Sequence, residues 1–448
     1  MEVLVKIGQF LLSLSILVVL HELGHFTFAK LFKARVEKFY MFFNPGFSLF
    51  KFKKGETEYG MGWLPLGGYV KISGMIDESM DKEQLKQEPQ PWEFRSKPAW
   101  QRLLIMIGGV LVNFVLAFAI YAAVLYTWGE QYLPANNVKY GVVCDSLSKS
   151  IGMQDGDKIY ALDHENVDDF MDIVPGILLN DVKTIQVERA GEQKSITIPD
   201  GFVAALMEKS SKGFSMQPMF SPRVPFGPFE VDRFSKKSIA KAAGVEKGDK
   251  LIAVNNEKFD FYDQFANRMQ SLKNQKVVVT VERNGQQMDL AMTLGDDAML
   301  GIARKPVQVF DFKTHKYGFW ESIPAGMYKG FDKLASYLKQ FKLIFSSETK
   351  GYKSLGGFIS IGNIFPGVWD WYAFWNLTAF LSIILAIMNI LPIPALDGGH
   401  VMFLLYEIIT GRKPGDKFLE YAQIAGMVLL FSLLIFANAN DVMKLFNK

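Results

Sequence analysis

His21 and His25 stand four residues apart in the run LHELGH, residues 20–25, a spacing that puts two side chains on one face of a helix. Their ring nitrogens can converge on one divalent cation. Glu22, next to the first histidine, can then reach a water held by that cation without being a ligand itself. This is the H-E-x-x-H spacing of zinc-assisted hydrolysis. The ion brings the pKa of its water toward ~7 and polarises the carbonyl under attack. The glutamate takes the water's proton and passes it to the leaving amine. Zinc is the expected cofactor, and it wants a third protein ligand. The segment NILPIPALDGGH, Asn389–His400, offers two. Asp397 is flanked by prolines and glycines that open the backbone and let its carboxylate turn inward, and His400 competes three residues on. Asp397 is preferred, because its charge would otherwise sit unpaired near a membrane.

The membrane enters because the histidines lie in an apolar run, and ionisable groups within such a run are costly and mark function. Of 448 residues, 49% are hydrophobic and 21% charged, with mean hydropathy +0.11. That mixture fits membrane spans combined with soluble modules. The net charge of +3 gives no reason to expect nucleic acid as a partner. Cys144 is the lone cysteine, so disulfides and cysteine metal clusters are excluded and a small packed side chain is expected. The first apolar run lacks a small-residue cleavage pattern and reads as a retained span.

The expected fold is a multi-pass α-helical membrane protein with four transmembrane helices, 1–30, 102–128, 373–397 and 421–441. Residues 31–101 form a cytoplasmic or membrane-embedded β region, 311–372 interfacial amphipathic helices, and 398–420 a cytoplasmic loop. Lysines and arginines crowd the loop after the first span and the short loop before the last. Both loops are therefore placed in the cytoplasm, and the HELGH end of the first span with them. His164 and His315 fall on the other side, away from the metal.

The region between spans two and three repeats itself. GMQDGDKIYALDHENVDDFMDI from Gly152 aligns without a gap with GVEKGDKLIAVNNEKFDFYDQF from Gly244, at an offset of 92. VERAG from Val187 and VERNG from Val281 follow, two residues further apart. Each copy reads as a Gly-Asp turn, an apolar strand, a helix and a hairpin. These α+β copies, 129–215 and 216–310, resemble PDZ domains. Such grooves take peptide C-termini by strand addition, or the modules act as filters.

HELGH, LGGYVK (66–71), the duplicated modules and LDGGH together resemble the bacterial site-2 proteases, closest to regulator of sigma E proteases of the RseP type. The likeness runs nearly the whole chain. It implies an intramembrane zinc metalloprotease in a bacterial inner membrane, with the active site toward the cytoplasm and the repeats in the periplasm. Its substrates would be membrane-spanning helices of other proteins, such as anti-sigma factors or remnant signal peptides. By motif, His21, His25 and Asp397 would hold zinc and Glu22 would be the base. Asn389 would hold substrate backbone, with helix packing as the alternative, and packing is favoured for Asn113. Residues 37–72 would form a hairpin or sheet whose edge extends the substrate, with Gly67, Gly68 and Tyr69 as substrate-binding candidates. The chain departs from the family at YMFFNPGF (40–47), where a glycine-centred GFG is common, and at Phe358, where a proline is common. The competing reading is an inactive, membrane-anchored PDZ scaffold. A zinc transporter is a weaker rival, having no use for the repeats.

Overall fold

The computed structural model describes residues 2–65, 67–75, 88–211, 219–346, 349 and 351–446. Leu66 of the LGGYVK motif and the expected boundary between the repeats at 215/216 lie outside the described residues. The chain forms two compact units. One comprises Met1–Glu130, Met207–Ser215 and His315–Lys448, and the other Gln131–Leu206 and Met216–Thr314.

Among the described residues of the first unit, four helices are long and apolar enough to cross a bilayer. They are α1 (Glu2–Leu31), α2 (Ala99–Trp128), α4 (Trp371–Ile390) and α6 (Asp416–Phe446), with α3 (Phe319–Phe345) and α5 (Asp397–Thr410) between them. Small residues let α1 and α2 cross closely: a Cβ on Gly24 would meet the Gly108 carbonyl at 2.3 Å. Polar pins join the other pairs. Thr378 donates to Ser13 at 3.0 Å between α4 and α1, and Ser382 donates to the Asn113 carbonyl at 2.7 Å between α4 and α2.

Two expectations change. Residues assigned to a cytoplasmic loop, 398–420, contain most of α5, because the turn after α4 restarts a helix at Asp397. The amphipathic stretch, read as interfacial with packing against the spans as its alternative, forms α3, which lies lengthwise on α2 in the second of those arrangements. Phe319 meets Tyr126, Gly326 packs on Ala122 and Gly330 on Phe118. Glycines at 326 and 330 give one turn-spaced groove for α2, which turns the helix along its neighbour.

Residues 36–72 build a four-stranded sheet, β1 (Val36–Met41), β2 (Phe50–Lys54), β3 (Thr57–Met61) and β4 (Tyr69–Ile72), in the order β2-β3-β1-β4. The hairpin turns at Gly55, whose φ of +63° suits glycine. β4 is an edge strand. A cluster of Ala29, Val36, Ile72, Ile105 and Leu404 joins the sheet to α1, α2 and α5.

In the second unit each repeat has its own core and sheet. The first sheet runs 192–197, 184–189, 158–162, 165–166, and the second runs 286–293, 276–283, 250–254, 229–234, 302–304. The shared feature is a charged clamp. Arg189 holds Asp157 through two contacts of 2.7 Å and donates to the Gly152 carbonyl at 2.8 Å. Arg283 repeats this on Asp249 at 2.7 and 2.8 Å and on the Gly244 carbonyl at 2.8 Å. Both glycines have φ +96°. The ER of the hairpin therefore clamps the Gly-Asp turn in both copies. The copies differ in their helix: Ile173–Leu179 runs 7 residues, whereas Tyr262–Ser271 runs 10. Cys144 is a packed side chain, its thiol pushed up to about 12 by burial and by Asp155 and Asp157 nearby, which keeps it unreactive.

Candidate metal centre

α1 delivers His21 and His25 one turn apart, six to ten residues before its end at Leu31. Both are buried. The rings need space on α2, and Gly109 provides it: a Cβ there would lie 2.4 Å from His25 Nε2 and 2.6 Å from His21 Cε1. His25 donates from Nδ1 to the Ile105 carbonyl at 2.9 Å, which leaves Nε2 with its lone pair pointing into the cavity. Asp397 comes from the far side, at the first position of α5.

The three inward atoms form a nearly equilateral triangle. His21 Nε2 and His25 Nε2 are 3.2 Å apart, and Asp397 Oδ2 is 3.2 and 3.3 Å from them. Ligands at about 2.05 Å from a tetrahedral zinc stand about 3.3 Å from one another, so the triangle has the size of a three-ligand face. Asp397 Oδ2 is buried without a hydrogen-bond donor, which is the state of an oxygen built to face a cation. Among the described residues this is the one group of three such side chains close enough to share an ion. His400 lines the same cavity but is not in the group, and His315 is exposed on another part of the chain.

The cavity, about 350 Å³, opens beside the triangle and is lined by Glu22, Gly68, Tyr69 and Val70 among others. The backbone of Val70 engages the Glu22 carboxylate, so the base is held against the edge of β4. Gly68 is needed at this approach, because a Cβ would meet Val18 at 2.9 Å and Glu22 at 3.3 Å. Gly67 lies one residue outside the lining and has φ +156° with Phe43 packed on it. Asn389 is brought in as well, with Nδ2 3.3 Å from His21 Nε2. Asn389 touches the site through His21 and is not among the residues that line the cavity.

Asn113 makes a hydrogen bond between helices, the packing role favoured for it, and its partner is the site's own His21. Fully buried, its amide lies 3.1 Å from His21 Nδ1, while Asn113 Oδ1 has no donor. Metal binding through Nε2 requires a proton on Nδ1. Turning the amide so that its oxygen accepts that proton satisfies both buried atoms. The signal was in the sequence: Asn113 follows Gly109 by four residues and so shares its helix face.

Comparison with known proteins gives the same direction. Residues 9–433 match peptidase family M50. A Vibrio cholerae protein named as a zinc metalloprotease is 28% identical over 468 residues, covering 99% of this chain and 100% of that protein. The regulator of sigma E protease of Haemophilus influenzae is 27% identical over 470 residues, with 99% and 100% covered. Protease RseP of Yersinia pestis is 26% identical over 474 residues, with the same coverage.

Proposed function

The chain belongs to peptidase family M50 and is a zinc metalloprotease, and on that footing we propose that it cuts peptide bonds inside the membrane-spanning segments of other proteins. The observation that carries this reading is the triangle of His21, His25 and Asp397, whose carboxylate oxygen has no donor, in the C-terminal part of an apolar helix. These three residues would hold the zinc, which when bound acidifies the attacking water and polarises the scissile carbonyl. Glu22 takes a proton from the water and returns it to the leaving nitrogen. Ile105 and Asn113 hold the two rings in the tautomer that leaves Nε2 free for the ion.

A helical substrate hides its peptide groups in its own hydrogen bonds, so it must be drawn out before attack. The edge strand β4, whose residues line the cavity, is suited to pair with an extended strand. Gly67, Gly68 and Tyr69 lead the substrate along that edge, and the Asn389 amide holds its backbone from the opposite side. The positive-inside distribution of lysine and arginine supports a bacterial inner-membrane topology with the site toward the cytoplasm and the repeats in the periplasm. The repeats are read as PDZ domains. In the second, a groove of about 640 Å³ lined by Phe229, Phe234, Phe265 and Met269 suits an apolar peptide end. Anti-sigma factors and remnant signal peptides are the substrate types that this reading favours.

The test is cleavage of a model membrane-spanning substrate by purified protein, with bound zinc measured on the same sample. Glu22→Gln should keep zinc and lose ~10²–10⁴-fold in rate. Cleavage that persists in Glu22→Gln removes the proposed base. Wild-type protein that holds zinc and cuts no membrane segment favours the scaffold.

A further inference from the structure

Asp397 owes its position to a turn that does not hold itself together. Between α4 and α5 the chain passes Leu391–Leu396, where Pro392 and Pro394 have no N–H to donate. Leu391, Ile393 and Leu396 donate to carbonyls within the turn or the end of α4. The remaining donor, Ala395 N–H, goes to the side chain of Gln423 on α6, with Oε1 accepting at 3.1 Å. Ala395 has φ +83°, a left-handed conformation that alanine adopts only when something outside enforces it. Ala395 is two residues before the ligand.

Gln423 is nearly sealed, at 5% exposure, on a helix that is otherwise mostly open, and it lines the cavity beside Ala395 and Asp397. One turn on, Gly426 lies so close that a Cβ would be 1.6 Å from the Pro394 carbonyl oxygen. Near the turn Phe418 of α6 also meets Phe403 of α5 edge-on at 5.8 Å, and at the far end of α6 Asn438 accepts from Phe358 N–H and Asp441 accepts from Ser360. The helix thus touches the turn at Gln423 and Gly426, and touches the short helix Phe358–Asn363 about 22 Å away along its axis.

We propose that Gln423 is a positioning residue for the metal: its amide oxygen, seated by the Gly426 contact, holds the Pro394–Ala395 turn in the conformation that aims the Asp397 carboxylate at the two histidines. This rests on the reading of Asp397 as a zinc ligand. In this arrangement α6 contributes no ligand and still sets the geometry of one.

The experiment is zinc affinity of the full-length protein in detergent, measured by competition with a chromogenic chelator. Gln423→Met removes the acceptor at similar length and should weaken zinc binding about 10–100-fold, the usual effect of losing a group that orients a ligand. Gln423→Glu keeps an oxygen there and should stay within about threefold of wild type. The double change Asn438→Ala, Asp441→Ala loosens α6 at its far end and should also leave affinity within about threefold. Gly426→Ala pushes on Pro394 and should weaken zinc binding independently, which covers a Gln423→Met protein that fails to accumulate. Wild-type affinity in Gln423→Met, or in Gly426→Ala where that variant stands in, overturns the proposal. So does a glutamate variant as weak as the methionine one, or a far-end variant as weak as either. Asp397→Asn separates the two readings: if it binds zinc normally, the ligand assignment is wrong, whereas if it loses zinc and Gln423→Met does not, only the latch is wrong.

Discussion

Two kinds of carboxylate with a buried oxygen occur in this protein, and they are finished to different degrees. In the repeats, Asp157 and Asp249 are 0% and 1% exposed, and each meets an arginine through paired contacts of 2.7–2.8 Å. Each also accepts a backbone N–H at 2.8 Å, from Gln154 and from Glu246. Their charge is answered within the chain. Asp397 Oδ2 faces two imidazole nitrogens at 3.2 and 3.3 Å, and no N–H is aligned on it within hydrogen-bond geometry. With the rings neutral, three lone pairs point at one spot. The first arrangement is complete and holds a fold together; the second has the size and the open oxygen that a cation would complete.

The sharpest way to break the comparison is to remove the unanswered carboxylate. Asp397→Ala should strip zinc to background, with cleavage falling to background too, while the folded protein persists; metal analysis beside a melting curve checks both. Next comes an answered pair. Arg189→Leu strands the fully buried Asp157 and should cost the first repeat ~3–5 kcal/mol, read as a lowered denaturant midpoint, with zinc content unchanged. A smaller loss is expected one step from the metal. Asn113→Ala leaves His21 Nδ1 without an acceptor and should weaken zinc ~10–100-fold by chelator competition.

The smallest effect separates the two sites by acid. Arg283 holds the Asp249 carboxyl below the ordinary carboxylate range. Its contribution is therefore fully present above the unfolded value and is lost as pH falls through the native one, below about pH 4. The second repeat should become easier to melt in that window, and Arg283→Leu should flatten the change. An unaltered acid slope in Arg283→Leu would show that the clamp does not set it.

The site was legible because its chemistry is local. His21, Glu22 and His25 declare a metal face by spacing alone, and the repeat declares itself by alignment. Gly67 and His400 show where spacing stops helping. Both sit in motifs near the site, yet Gly67 is outside the cavity lining and His400 is outside the triangle. Sequence gives Asn113 a packing hydrogen bond but not its partner, and only its distance to His21 names it. Amphipathicity in the α3 stretch reports a face to be covered and not which element covers it, so sequence leaves both an interfacial position and packing on the spans open.

Residue order alone determined that two histidines and a glutamate share a helix face within an apolar run, that four stretches are long enough to span a bilayer, and that one α+β module occurs twice. These follow from helical geometry and hydropathy, which act over neighbouring residues. Tertiary structure decided which carboxylate completes the triangle, which amide steadies His21, and that a strained alanine is held by a glutamine from another helix. Those pairings join residues tens to hundreds of positions apart, and packing in three dimensions selects them because no rule of local spacing reaches that far.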